Sequence, residues 1–162
     1  GGRMLLVVSS DIPLVTGSMV DWFLETCRRA PADLYYPIIE RSACLSRFPS
    51  SRRTFVHTRD GVFTGGNMFL LNPDVVERSL EQAARFIEYR KSPLKLASIL
   101  GFGFLARLLL KRLTLVELER KISSLFDLKG VVVQCPHPEV GMDVDKPEDL
   151  RVVREALGSP RP

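Results

Sequence analysis

The chain has 162 residues, 45% of them hydrophobic and 26% charged, with a net charge of +4 at pH 7. These proportions exclude a disordered or collagen-like chain and leave one domain, residues 1–162, large enough for a real core. The small basic excess suits anionic partners and does not carry a case for nucleic-acid binding.

Cys27, Cys44 and Cys135 form no CxxC pair and no Cys/His cluster with metal spacing. That pattern speaks against a disulfide scaffold or a zinc finger and for a reducing, cytoplasmic compartment. No run reaches the roughly 18 apolar residues that span a bilayer. The longest, residues 98–110, carries Arg107. Residues 4–9 lead straight into Asp11 and Pro13 without a signal-peptide cleavage pattern.

In chain order, residues 4–9 predict a strand buried on both faces, as in a parallel sheet. Pro13 helps to end it. A helix is expected from residue 16 or 18 to 29, with Ser18 and Asp21 at its first turn. Residues 34–39 read as a second strand. The stretch 41–60 is Arg-rich and holds a strand at 54–58, with a turn at Asp60-Gly61. Thr64-Gly65-Gly66-Asn67 reads as a further turn, before a strand at 68–71. Asn72-Pro73-Asp74 caps a helix running to Tyr89.

Residues 90–129 form a basic helical block, with nine Lys/Arg against three acids. Gly101 and Gly103 break its first helix, and Thr114 caps the next with Glu117. Residues 130–134 are a strand, and a last helix runs from near Lys146 to Gly158. Strands alternating with helices predict a three-layer α/β/α sandwich with a mostly parallel, Rossmann-like sheet. Ligands of such sheets sit beyond the carboxyl ends of the strands.

Two acidic loops are candidates for such a site. Asp11 follows the first strand on backbone stiffened by Pro13, and a carboxylate there suits a hard divalent ion. It equally suits a turn or a helix cap. In Asp143-Val144-Asp145-Lys146-Pro147-Glu148, an extended segment points Asp143 and Asp145 the same way. Two such carboxylates repel unless a cation lies between them. The competing reading makes Asp145 an N-cap paired with Glu148.

Taken together, Ser10-Asp11-Ile12-Pro13-Leu14 and Asp143-Val-Asp-Lys-Pro-Glu-Asp-Leu150 resemble the nucleotidyltransferases of the nucleotide-diphospho-sugar (GT-A) fold. The nearest likeness is to the molybdenum-cofactor guanylyltransferase-like group. The resemblance implies Mg²⁺ held by Asp11 with Asp143 and Asp145, the first and last being catalytic. It implies a nucleoside triphosphate and a small anionic acceptor as partners. It also implies acceptor contacts in Thr64–Pro73, at Gly66 and Asn67, and a substrate contact at Pro13. The family's opening Gly-rich loop, which cradles the triphosphate, has no match here. The chain reads as starting at the family's fourth strand, the C-terminal two thirds of the fold.

Cations are expected around such chemistry. Arg53, Arg90, Lys91 and Lys95 are the candidates for an anionic substrate. His57 and His137 have no Ser or Cys partner by spacing. A fold that binds a ligand without turnover is the alternative. Residues 94–112 raise a third reading, a basic amphipathic segment on a membrane surface. Buried helix packing or a homodimer interface is the expectation preferred there.

Overall fold

The computed structural model describes residues 3–89 and 93–158. Its sheet has six strands: β1 (Leu5–Val8), β2 (Leu34–Glu40), β3 (Val56–His57), β4 (Val62–Gly65), β5 (Met68–Leu71) and β6 (Gly130–Gln134). The spatial order is β1-β5-β2-β4-β3, with β6 on the other edge of β2. Four of the pairings are antiparallel and one, β2 with β6, is parallel. The expected mostly parallel, Rossmann-like sheet is therefore wrong.

The reason lies in the segment 56–71. Long helical connections do give β1, β2 and β6 a common direction, but they do not make β1 and β2 neighbours. The tight turn at Thr58–Gly61, where the Thr58 N–H donates to the Gly61 carbonyl at 2.8 Å, folds β3 back on β4. The chain then runs on into β5, which enters between β1 and β2 against both. A turn this short admits only antiparallel pairing.

The predicted glycine turn at Thr64–Asn67 is a bulge. Leu34 faces Leu71 and Tyr35 faces Leu70, yet Ile38 faces Gly65 where an unbroken register would place Asn67. Gly66 and Asn67 are squeezed out of the ladder, as a β-bulge does. The Gly66 N–H still reaches the Pro37 carbonyl at 2.8 Å. A Cβ on Gly66 would lie 2.9 Å from both Pro37 and Val140.

Helices lie on both faces. On the face of Tyr35 and Ile39, α1 (Gly17–Cys27) and α2 (Arg41–Arg47) bring Phe23, Cys27 and Cys44 into one core with Met68, Val133 and Val140. Phe23 and Ile39 are fully buried. Each such side chain contributes roughly 1.5–3 kcal/mol of transfer free energy. The three cysteines are free and buried. Burial pushes the Cys27 thiol up to about 11 and raises the other two as well.

The opposite face, with Leu34, Tyr36 and Ile38, looks onto α6 (Leu115–Phe126) across an apolar chamber of ≈ 500 Å³. Thr114 and Glu117 close the expected capping box on α6. Asp60 ties the β3–β4 turn to the same helix, accepting from the Leu115 N–H at 2.6 Å. Between them the chain forms α3 (Pro73–Tyr89), α4 (Pro93–Leu100) and α5 (Phe102–Leu109). The break between α4 and α5 falls at Gly101, whose φ of 87° favours glycine. The last helix, α7 (Pro147–Ala156), buries Val152 and Val153 against Leu14, Phe48 and Met142.

Residues 5–8 are not the doubly buried strand expected from their composition. β1 is an edge strand, paired with β5 alone among the described strands, and Leu5 is 51% exposed. An apolar run fixes strand propensity, not a place at the centre of the sheet. No described helix is long and apolar enough to cross a membrane.

Candidate functional site

The carboxyl ends of β1 and β6 open at the same end of the sheet, because both run with β2. Three backbone hydrogen bonds stitch their loops together through the bulge. The Ser9 N–H donates to the Asn67 carbonyl at 2.9 Å, and the Asn67 N–H donates to the Val140 carbonyl at 3.0 Å. Beyond the 3₁₀ turn Pro138–Gly141, the Val144 N–H donates to the Asp11 carbonyl at 3.0 Å. Gly66 and Asn67 thus act as a splice between the two acidic loops.

The splice brings Asp11, Asp143 and Asp145 together. One carboxylate oxygen from each lies within 4.8 Å of the others. Asp11 and Asp143 are half-buried and Asp145 is exposed. The Ser9 hydroxyl donates to the Asp11 carboxylate, fixing its rotamer. The Arg53 Nη1 donates to Asp143 in a partly buried ion pair.

Asp145 does not cap the last helix. The N-cap of α7 is Lys146, whose N–H donates to the Asp149 carboxylate at 2.9 Å. The Asp145 N–H points to the same carboxylate at 3.3 Å. The capping work expected of Asp145 and Glu148 therefore falls one residue later. That leaves the Asp145 side chain to face the other two acids.

Three clustered carboxylates with one guanidinium leave an uncompensated negative charge. Hard oxygen donors in that arrangement suit Mg²⁺. The buried Arg53 Nε, on the guanidinium that faces Asp143, and the buried Asn67 Nδ2 have no hydrogen-bond partner among the described residues. The residues present fit a divalent cation.

Asp143 and Asp145 line a cleft of ≈ 790 Å³ whose other walls include Arg52, Arg53, Thr64, Lys146 and Arg151. Sequence reasoning named Arg53 and missed Lys146 and Arg151. Their position in the first turns of α7, immediately after the acidic pair, was the available signal. Ser9 was missed as the donor to Asp11, though it stands two residues before it.

The other expected substrate contacts are scattered. Pro13 is exposed in the loop after Asp11. Lys95 is exposed on α4, its ammonium 5.1 Å from the Tyr89 ring, and does not line the cleft. Arg90 and Lys91 lie outside the described residues. His137 packs edge-on against Trp22, ring centroids 5.3 Å apart, a structural contact.

A solved structure from Thermus thermophilus, described as a hypothetical transferase, is 39% identical to this chain, with a TM-score of 0.84. The chain shares the fold of that protein. The alignment covers 92% of this chain and 64% of the Thermus chain, so this chain spans less than two thirds of that protein's length. No family model matches the chain, and no curated protein does.

The Arg53–Asp143 pair yields a test of the cluster. Removing one partner of a buried ion pair costs about 3–5 kcal/mol, less where water reaches it. The Arg53 and Asp143 side chains are 14% and 23% exposed. Arg53→Met is expected to lower stability in urea, without divalent cations, by about 2 kcal/mol. Millimolar Mg²⁺ should restore most of that loss and should stabilise the variant more than the parent. Equal Mg²⁺ effects on the two would mean that Arg53 is not screening a cation site.

Proposed function

We propose that the chain provides the metal and acceptor side of a Mg²⁺-dependent nucleotidyltransferase. The reaction joins a nucleoside triphosphate to a small acceptor, through a phosphate or hydroxyl oxygen, and releases pyrophosphate. The observation that carries this reading is the convergence of Asp11, Asp143 and Asp145, two of which, Asp143 and Asp145, line a cleft that also holds Arg52, Arg53, Lys146 and Arg151. The likeness to a hypothetical transferase supports it.

Asp11, Asp143 and Asp145 would hold the ion, which when bound supplies positive charge to the phosphate oxygens and lowers the cost of bringing two anions together. Ser9 keeps Asp11 turned toward the cluster. Arg52, Lys146 and Arg151 supply further charge to the substrate, and Arg53 joins them once Asp143 has another cation to face. An acceptor oxygen then attacks the α-phosphorus in line. The new P–O bond forms as the bond to the β-phosphate breaks, and the electron pair leaves with pyrophosphate. Most of the protein's share is positioning and charge stabilisation.

Pyrophosphate release is the direct test, measured with each of the four common triphosphates, Mg²⁺, and acceptors bearing phosphate or hydroxyl groups. Turnover that vanishes with a chelator is the expected result. Saturable binding of Mg²⁺-triphosphate with no release under any pairing would assign the chain to ligand binding instead.

A further inference from the structure

α5 buries none of its residues. Phe102, Ala106 and Leu109 recur at i, i+4 and i+7 and so share one face of the helix. Phe102 is 69% exposed and Leu109 73%. Leu110, just past the helix end, is exposed as well. At Lys111 the backbone turns left-handed, with φ of 59°. The exposed side chains of Lys111 and Arg112 then follow the apolar stripe directly.

The two cations at this end are not neutralised. Neither the Lys111 ammonium nor the Arg112 guanidinium has an ion pair or hydrogen bond among the described residues. Arg107, also on α5 but off the apolar stripe, is treated differently. It donates to Glu117 at 2.5 Å and to the Arg112 carbonyl at 3.4 Å, which staples α5 to α6. Glu117 pairs with the inner arginine, and the outer pair has no partner among the described residues.

We propose that the chain docks on an anionic lipid bilayer through the Phe102–Leu109 stripe and the Lys111–Arg112 pair. A short helix with apolar residues on one face and cations at the margin lies in the headgroup layer. Its apolar side chains enter the acyl boundary while the basic ones meet lipid phosphates. The helix is eight residues long, about 12 Å at 1.5 Å per residue, so it lies on the surface and does not span. A second copy of the chain is the weaker match. Phe102 can bury at most about 250 Å², and with the smaller Leu109 and Leu110 it stays short of the roughly 800 Å² per partner of a stable interface.

The test is flotation of the full chain with vesicles of phosphatidylcholine alone or mixed with phosphatidylglycerol, at low and high salt. Binding to the anionic vesicles at least tenfold tighter than to the neutral ones, and weakened by salt, is expected. Phe102→Ser with Leu109→Ser should lose most binding to both compositions. Lys111→Glu with Arg112→Glu should lose the anionic preference. None of the four side chains is buried, so thermal melting should stay at the parent value and exclude misfolding as the cause. Equal binding to both vesicle types overturns the inference. So does absent flotation alongside a dimer, seen by sedimentation, that Phe102→Ser dissolves.

Discussion

Asp11→Asn is expected to weaken Mg²⁺ binding at least about 100-fold while leaving the fold intact. Loss of a residue that only orients a ligand costs about 10–100-fold in metal affinity, and Asp11 is placed to be a ligand itself. The substitution keeps the side-chain shape, and the backbone bond from Val144 to the Asp11 carbonyl does not involve the carboxylate. Without metal the sign reverses. Two unit charges 4.8 Å apart repel by about 1 kcal/mol in water and by roughly 3 kcal/mol at an effective dielectric near 20. The variant should therefore melt slightly above the parent in chelator and gain nothing from Mg²⁺. Calorimetric titration and melting curves with and without Mg²⁺ measure both effects. A variant that binds Mg²⁺ as the parent does would remove Asp11 from the site.

Gly65→Ala is expected to cost roughly 3 kcal/mol, the upper part of the usual range for forcing atoms into a packed site. The added Cβ would stand 1.9 Å from the Tyr36 hydroxyl and 3.0 Å from its ring carbon. Tyr36 cannot swing aside easily, because its ring stacks on Phe69 with centroids 5.5 Å apart and planes inclined by 11°. Removing the hydroxyl with Tyr36→Phe takes away the worst overlap. The double variant should therefore recover more than half of the loss, a coupling that two independent defects would not show. Urea unfolding of the four chains gives the cycle. Additive losses would mean that the strand shifts to make room. A shift would also disturb the bulge at Gly66 and Asn67, and with it the splice between the acidic loops.

How far these features were legible beforehand varies with how local their causes are. Residues 68–71 and 130–134 were readable as strands because β-branched and apolar runs stand between turn residues. The Thr114–Glu117 box was readable because it lies within four residues. Asp143 and Asp145 could be paired by their spacing. Their meeting with Asp11 could be expected only through resemblance, since it rests on three backbone bonds between segments far apart in sequence. The Arg53–Asp143 pair spans a similar distance and left no local trace. α2 was missed because Arg41-Ser-Ala-Cys-Leu-Ser-Arg47 has neither an amphipathic period long enough to count nor a preceding cap residue. The direction of β5 was lost for another reason. A hairpin inserted between two helix-linked strands leaves their periodicity unchanged while reversing the sheet's character.

The position of β1 also bears on how the molecule behaves in company. Its outer rim presents backbone donors and acceptors that no described strand engages, flanked by the solvent-facing Val7 and Val8. Such a rim is a template for any extended polypeptide that drifts against it. Crowded solutions of these 162 residues on their own should thus stack strand upon strand from this side, and a lysine or proline introduced there would act as a gatekeeper.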